Sequence, residues 1–155
     1  MGLGNILRRD EGVGVILLEE LKKEESLRRY KVEFIDGGTA SHEALYEVQP
    51  VDFLIIIDAL KDKGSPGSLH IIKPEDLFSE QMVDLHQINL LQALKWMRME
   101  GRLPEVLIFG IEVKNVSWGE GLSSEIGQKL PVIKERIVQE IENVLSKRGE
   151  FAALK

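Results

Sequence analysis

The chain has 155 residues, a common size for one domain, so we predict a single domain over residues 1–155. Its formal net charge is −6 and its basic residues stand in mixed-sign clusters, which excludes nucleic acid as the expected partner. There is no cysteine, secretory leader or apolar run of membrane-spanning length, so we expect a cytoplasmic protein without disulfides, thiol chemistry or membrane insertion.

The first predicted elements are a helix and a strand. Apolar residues recur at helical spacing after the opening MGLGNILRRDEG, which predicts a helix over about residues 11–26. The next segment, KVEFID at 31–36, is rich in strand formers. Gly37 and Gly38 are expected to end that strand.

A short helix and a buried strand are predicted next. Thr39 or Ser41 is expected to cap a short helix that ends before Pro50. The uninterrupted apolar run FLIII then predicts a central parallel strand that is buried on both faces. Asp58 is expected at the end of this strand.

The second half of the chain continues the alternation. SLHIIKP stops at a proline and predicts an edge strand. A helical apolar stripe follows over about residues 86–99, and EVLIFGIE predicts one more buried strand, closed by Gly110. The last segment is predicted to be helical from Ser123 and to be interrupted at Pro131.

This order of elements predicts the fold class. Strands that alternate with helices favour a mostly parallel central sheet of about five strands with helices on both faces. We therefore predict a three-layer α/β/α sandwich.

Acidic residues follow the predicted strands at one edge of this sheet. Ligands bind there in such folds, because the loops at the carboxyl ends of parallel strands converge. Asp10 and Glu11 come after the position of the first strand, Asp36 after the second and Asp58 after the third. Carboxylates crowded together favour a bound cation, and His86 at the head of a helix can add a nitrogen ligand.

Each of these residues also has a purely structural interpretation. Asp10 or Glu11 could cap the first helix, and Asp36 could shape the Gly-Gly turn. Asp58 is harder to explain in this way, because a carboxylate beside a buried apolar run needs a partner. GLGN lacks the third glycine and the later acid of a dinucleotide fingerprint. The sequence also lacks the G-x-S-x-G motif that is typical of serine hydrolases.

Five stretches in chain order carry a family resemblance. They are GLGNILRRDEGVGV, DGGT, LIIIDAL, HQINLLQAL and FGIEVKNVSWGEGLSSEI. Together they span nearly the whole chain and resemble motifs of the maturation endopeptidases of nickel-iron hydrogenases. Members of that family remove a C-terminal extension from the hydrogenase large-subunit precursor after nickel has been inserted.

The resemblance implies a site and a mechanism. The implied metal-binding and catalytic residues are Glu11, Asp58 and His86. Nickel is implied to arrive with the precursor, and no organic cofactor is implied. The divalent ion would polarise the peptide carbonyl or activate a water, with one carboxylate as base. The turn formed by Asp36, Gly37 and Gly38 is implied to lie near the substrate tail.

The chain departs from the family pattern at two places. Relatives carry an apolar strand of about six residues before the glycine turn, whereas here only Met1 precedes it. We therefore expect the first strand to be missing, which would expose two strand edges, and translation of the upstream coding sequence would show whether the start lies too far downstream. Val113 replaces a proline found in many relatives, which affects only loop stiffness.

Two other functions stay open at this point. A non-catalytic chaperone of the hydrogenase precursor would keep the metal ligands but release no peptide. An unrelated α/β nucleotide- or phosphate-binding domain would use GLGN as a cradle and would be indifferent to nickel.

Overall fold

The computed structural model describes residues 1–48, 51–78 and 85–152. The strands are β1 (Gly2–Leu3), β2 (Asp36–Gly38), β3 (Phe53–Leu60), β4 (Leu69–Ile72) and β5 (Glu105–Glu112). The helices are α1 (Val13–Leu21), α2 (Ser41–Glu47), α3 (Pro74–Phe78), α4 (Leu85–Met99) and α5 (Ser124–Ala152). Two 3-10 helices cover Arg9–Gly12 and Glu25–Arg29. In the described part of the chain, no helix is both long and apolar enough to span a bilayer.

The five strands form one mixed sheet in the order β2-β1-β3-β5-β4. Neighbouring strands are parallel except β4, which runs antiparallel to β5 at the edge of the sheet. The predictions of a central parallel β3 and of an edge strand at SLHIIKP are confirmed. The carboxyl ends of β1, β2, β3 and β5 consequently lie along the same edge.

Apolar side chains cover both faces of this sheet. One core joins α2 and α4 to the sheet through residues such as Leu45, Ile56, Leu94 and Ile108. The other joins α1 and α5 through residues such as Leu17, Ile57, Phe109 and Ile137. Neighbouring residues of β3 and β5 point to opposite faces, which explains their continuous apolar runs. The predicted three-layer α/β/α sandwich is confirmed.

The helix predicted over residues 11–26 is wrong in its bounds. The apolar stripe is real, but α1 covers only Val13–Leu21, and 3-10 helices precede and follow it. Arg9 adopts a left-handed φ of 45°, and its amide donates to the carbonyl of Gly119, 2.9 Å away. A distant loop therefore sets the backbone before α1, and helical periodicity carries no information about that loop.

The strand predicted over 31–36 is also wrong. Only Asp36–Gly38 pairs as β2, because its partner β1 contains just Gly2 and Leu3. Gly37 and Gly38, predicted to end the strand, are therefore part of it, and Asp36 begins it. From the preceding segment, the carbonyl of Ile35 accepts a hydrogen bond from the amide of Gly2. The predicted cap of α2 is not made either, because Ala40 holds the cap position and no side chain caps the helix.

The first strand, predicted to be missing, is present as the two-residue strand β1, which lies between β2 and β3. The amino group of Met1 donates to the carbonyl of Ile55 at 2.8 Å, and the amide of Ile57 donates to the carbonyl of Met1 at 2.9 Å. Gly2 pairs with Asp36 on one side and with Ile57 on the other. β1 therefore joins β2 to β3 in the sheet.

Gly110 and Pro131 do not end their elements as predicted. Gly110 lies inside β5, where a Cβ would overlap the side chain of Leu60, so the glycine permits close approach rather than termination. Pro131 lies inside α5, which continues past it. A proline costs a helix about 3 kcal/mol. The buried isoleucines of α5, each worth about 1.5–3 kcal/mol, outweigh that cost.

Candidate active site

The glycine-rich turn brings the start of α1 against the sheet. A Cβ at Gly4 would overlap the carbonyl oxygen of Glu11, and one at Gly14 would overlap the carbonyl oxygens of Leu3 and Ile57. Gly4 also has a φ of 128° and donates its amide to the end of β2. The glycines are thus explained by close packing within the protein, and this packing sets Glu11 beside the carboxyl end of β3.

Asp10 is a structural residue. Its side chain is fully buried and accepts four hydrogen bonds from the loop before α5. The donors are the amides of Lys114, Asn115 and Ser123 and the hydroxyl of Ser123, at 2.6–3.3 Å. These dipoles balance the carboxylate charge, so Asp10 anchors the loop of residues 113–123 and has no capacity left for a metal.

Glu11 has a different environment from its neighbour. Its side chain is 19% exposed, and its Oε2 lies 3.1 Å from Nη1 of Arg8. This contact lacks hydrogen-bond alignment, and Oε2 is buried without a hydrogen-bond partner among the described residues. The Arg8 guanidinium is close enough to offset a carboxylate charge, but the hydrogen-bonding capacity of Oε2 is not filled by the described residues. Of the two adjacent acids, Glu11 is therefore the one that can accept a ligand.

Asp58 lies on the neighbouring strand. It is inside β3 rather than at its end, two residues before Leu60, and its register partner in β5 is Gly110. The carboxylate is partly buried and accepts the amide of Ala59 at 2.8 Å through Oδ1. The 3-10 helix that carries Glu11 packs against β3. The structure thus brings the segments of Glu11 and Asp58 together at the carboxyl edge of the sheet.

The third predicted ligand, His86, is described only through its backbone. It is the second residue of α4, and its side chain lies outside the described part of the structure. Because α4 packs across the sheet and ends shortly before β5 begins, its N-terminus lies toward the carboxyl edge. Among the described residues, no three acidic or histidine side chains come close enough to hold a metal. The three-residue site stays a prediction.

The Gly-Gly turn borders the same edge. Asp36 is exposed, and its Oδ1 accepts the amide of Gly38 at 2.9 Å, which closes a local turn with Gly38 at a φ of 48°. The carbonyl of Gly38 accepts the amide of Gly4 at 2.8 Å. Gly37 is buried beneath Leu3, where a Cβ would crowd that side chain. The turn has a structural explanation and also lies next to the glycine-rich turn.

Sequence reasoning missed several residues around the site. Glu112, in the FGIE stretch, is buried and accepts the amide of Lys63 at 3.1 Å, which pins the loop between β3 and β4. Arg8 lies over the ring of Trp118 at 5.8 Å from its centroid, beside Glu11. The GIE motif was a signal for Glu112, whereas no local pattern indicates the contacts of Arg8.

Comparison with known proteins identifies the family. Residues 15–140 match the family model HycI, described as hydrogenase maturation protease, and this is more than half of the chain. The chain belongs to the hydrogenase maturation protease family. The resemblance predicted from the five motifs is thereby confirmed. The matched range contains Asp58 and His86 but begins after Glu11.

Relatives of this protease carry names that refer to the maturation or formation of hydrogenases. The hydrogenase 2 maturation protease of Escherichia coli strain K12 is 34% identical over 151 residues, covering 94% of this chain and 87% of the relative. The hydrogenase expression/formation protein HoxM of Azotobacter vinelandii is 29% identical, covering 100% of this chain and 75% of the relative. The family model and the Escherichia coli relative are both named as proteases, so the predicted peptidase activity is confirmed and the protein is a hydrolase.

Solved structures agree with the fold. The hydrogenase maturating endopeptidase HybD of Escherichia coli superposes with a TM-score of 0.76 at 29% identity, over 92% of this chain and 90% of that one. The protease HybD of Thermococcus kodakarensis superposes with a TM-score of 0.71 at 26% identity, over 90% and 95%.

Proposed function

We propose that this protease removes the C-terminal extension of a nickel-iron hydrogenase large-subunit precursor after nickel insertion. In this proposal Glu11, Asp58 and His86 contact the nickel that the precursor already holds, so the metal is part of the substrate. The reaction requires no organic cofactor. The cytoplasm stays the predicted compartment.

The observation that carries this proposal is the condition of Glu11. Its Oε2 is buried at the sheet edge that also carries Asp58, and it lies 3.1 Å from Nη1 of Arg8 but has no hydrogen-bond partner among the described residues. A purely structural carboxylate in this chain looks different, because Asp10 next to it satisfies both of its oxygens. Two carboxylates and an imidazole form a mixed oxygen and nitrogen set that suits nickel among divalent ions.

The chemistry follows from placing the metal of the precursor at this edge. Nickel polarises the scissile carbonyl or lowers the pKa of a water. The protein contributes position, because the backbone of Glu11 is held by the glycine-rich turn and by the anchoring of Asp10. One of the two carboxylates, Glu11 or Asp58, accepts the proton of the attacking water.

We further propose that the turn of Asp36, Gly37 and Gly38 positions the substrate tail. Replacing Asp36 with alanine removes the hydrogen bond that closes this turn. The KM for the precursor is expected to rise about fivefold with little change in kcat, because one hydrogen bond near 1 kcal/mol is lost away from the reacting atoms. Steady-state cleavage kinetics test this. Asp52→Ala, at an exposed acid just before β3, is the matched control and should leave both constants unchanged.

Intact-mass spectrometry of the precursor tests the proposed function. The precursor is incubated with the protease in nickel-loaded and nickel-free forms. We expect the loss of one C-terminal peptide from the nickel-loaded form alone. Equal cleavage of both forms would contradict nickel recognition. An unchanged mass within a stable complex would instead indicate a chaperone.

A further inference from the structure

Arg8 connects the candidate metal ligand to the exposed loop before α5. Its Nη1 lies 3.1 Å from Oε2 of Glu11, and its guanidinium lies over the indole of Trp118. The side chain of Arg8 is 32% exposed, whereas Trp118 is 75% exposed. Nε of Arg8 is buried without a hydrogen-bond partner among the described residues. The guanidinium is thus held by charge and stacking rather than by a satisfied hydrogen-bond network.

The backbone around Arg8 is fixed, although its side-chain contacts are weak. Arg8 forms a parallel bridge with Gly119, which donates its amide to Leu7 and accepts the amide of Arg9. Asp10 anchors the same loop from the other side. The guanidinium therefore stays within reach of Glu11. Its effective concentration at the carboxylate is high because both groups belong to the same chain segment.

We propose that Arg8 is an internal counter-ion of Glu11 that competes with free divalent cations for this carboxylate. A cation that binds Glu11 must displace the guanidinium, which can keep its contact with Trp118. For a free ion, only its contacts with the ligands of the site contribute to the free energy of binding. When nickel is held by a precursor, the binding free energy of the other precursor contacts helps to offset the cost of displacing Arg8. Arg8 thus makes the protease favour metal presented by its substrate over metal in solution.

This inference rests on the proposed contact between Glu11 and nickel and adds a positioning residue to it. Removing Arg8 is expected to tighten the binding of free nickel about two- to fivefold, since a partly exposed ion pair contributes little free energy. A lysine at position 8 keeps the positive charge and should restore the competition. A residue with a purely structural role would not show this rescue.

The test is calorimetric titration of the whole protein with nickel chloride. Arg8→Leu is expected to bind nickel about two- to fivefold more tightly, and Arg8→Lys to match the unmodified chain. Arg28→Leu removes an exposed arginine in the 3-10 helix beyond the far end of α1 and should change nothing. In the double variant of Arg8→Leu with Glu11→Gln the gain should vanish. Circular dichroism melting curves establish that each variant is folded.

The outcomes separate the two claims. If Arg8→Leu binds nickel no more tightly while Glu11→Gln weakens binding, the competition is refuted and the nickel site stands. If Arg8→Leu tightens binding and Glu11→Gln does not cancel the gain, Arg8 acts elsewhere and the inference is also refuted. If neither variant, nor Asp58→Asn, changes the affinity, the proposed site itself is wrong.

Discussion

Replacing Glu11 with glutamine is expected to slow cleavage of the nickel-loaded precursor by at least about 100-fold. Removing a residue that only hydrogen-bonds to a metal ligand already costs up to about 100-fold, and Glu11 is proposed to be a ligand itself. Glutamine has nearly the same shape but no charge, so the packing around the glycine-rich turn is kept. The neutral amide that replaces the carboxylate attracts the metal less strongly, and one of the two candidate bases is removed. Single-turnover kinetics with excess protease measure the effect on the chemical step.

Glu120→Gln is the matched control for Glu11→Gln. Glu120 is exposed in the loop that Asp10 anchors, so the same chemical change is made nearby without touching the candidate ligand. We expect normal cleavage from this variant. Cleavage by Glu11→Gln within threefold of the unmodified rate would contradict the role of Glu11.

Replacing Asp10 with asparagine is expected to lower the free energy of unfolding by about 3–5 kcal/mol, as when one partner of a buried charged network is removed. The amide keeps one acceptor oxygen, but its NH₂ group faces donors from the loop of residues 113–123. Buried donors left without an acceptor carry the cost of desolvation. Urea denaturation monitored by circular dichroism gives the change.

The control for Asp10→Asn is Asp52→Asn, which makes the same substitution at an exposed residue. Its effect on stability should stay within about 0.5 kcal/mol, as for other surface substitutions. A small change for both variants would show that the four hydrogen bonds to Asp10 do not anchor the loop.

Local sequence pattern predicted the parts of the fold that are set locally. The apolar run of β3, the stripe of α4 and the edge strand β4 are visible as periodicity or as a terminating proline. The failures lie where a distant partner decides. The segment 31–36 has the composition of a strand, but its neighbour β1 is only two residues long and cannot pair along its length. Gly110 is needed because the side chain of Leu60 in the neighbouring strand lies against it.

The candidate site shows the same division. Position in chain order was enough to place Asp58 and the segment of Glu11 at one edge of the sheet. Chain order could not distinguish the roles of Asp10 and Glu11, because the groups that donate hydrogen bonds to Asp10 lie more than 100 residues away in sequence. The contacts of Arg8 could not be predicted for the same reason, since its stacking partner Trp118 belongs to that distant loop. Residues next to each other in sequence thus acquire different roles through long-range contacts.

We propose above that this protease binds the nickel of its substrate through Glu11, Asp58 and His86. X-ray absorption at the nickel edge tests it directly, on nickel-loaded precursor alone and in complex with the protease. We expect the nickel to gain oxygen and nitrogen ligands on complex formation, with one nitrogen fewer in the complex with His86→Ala. A nickel spectrum that is unchanged when the protease binds would contradict the account.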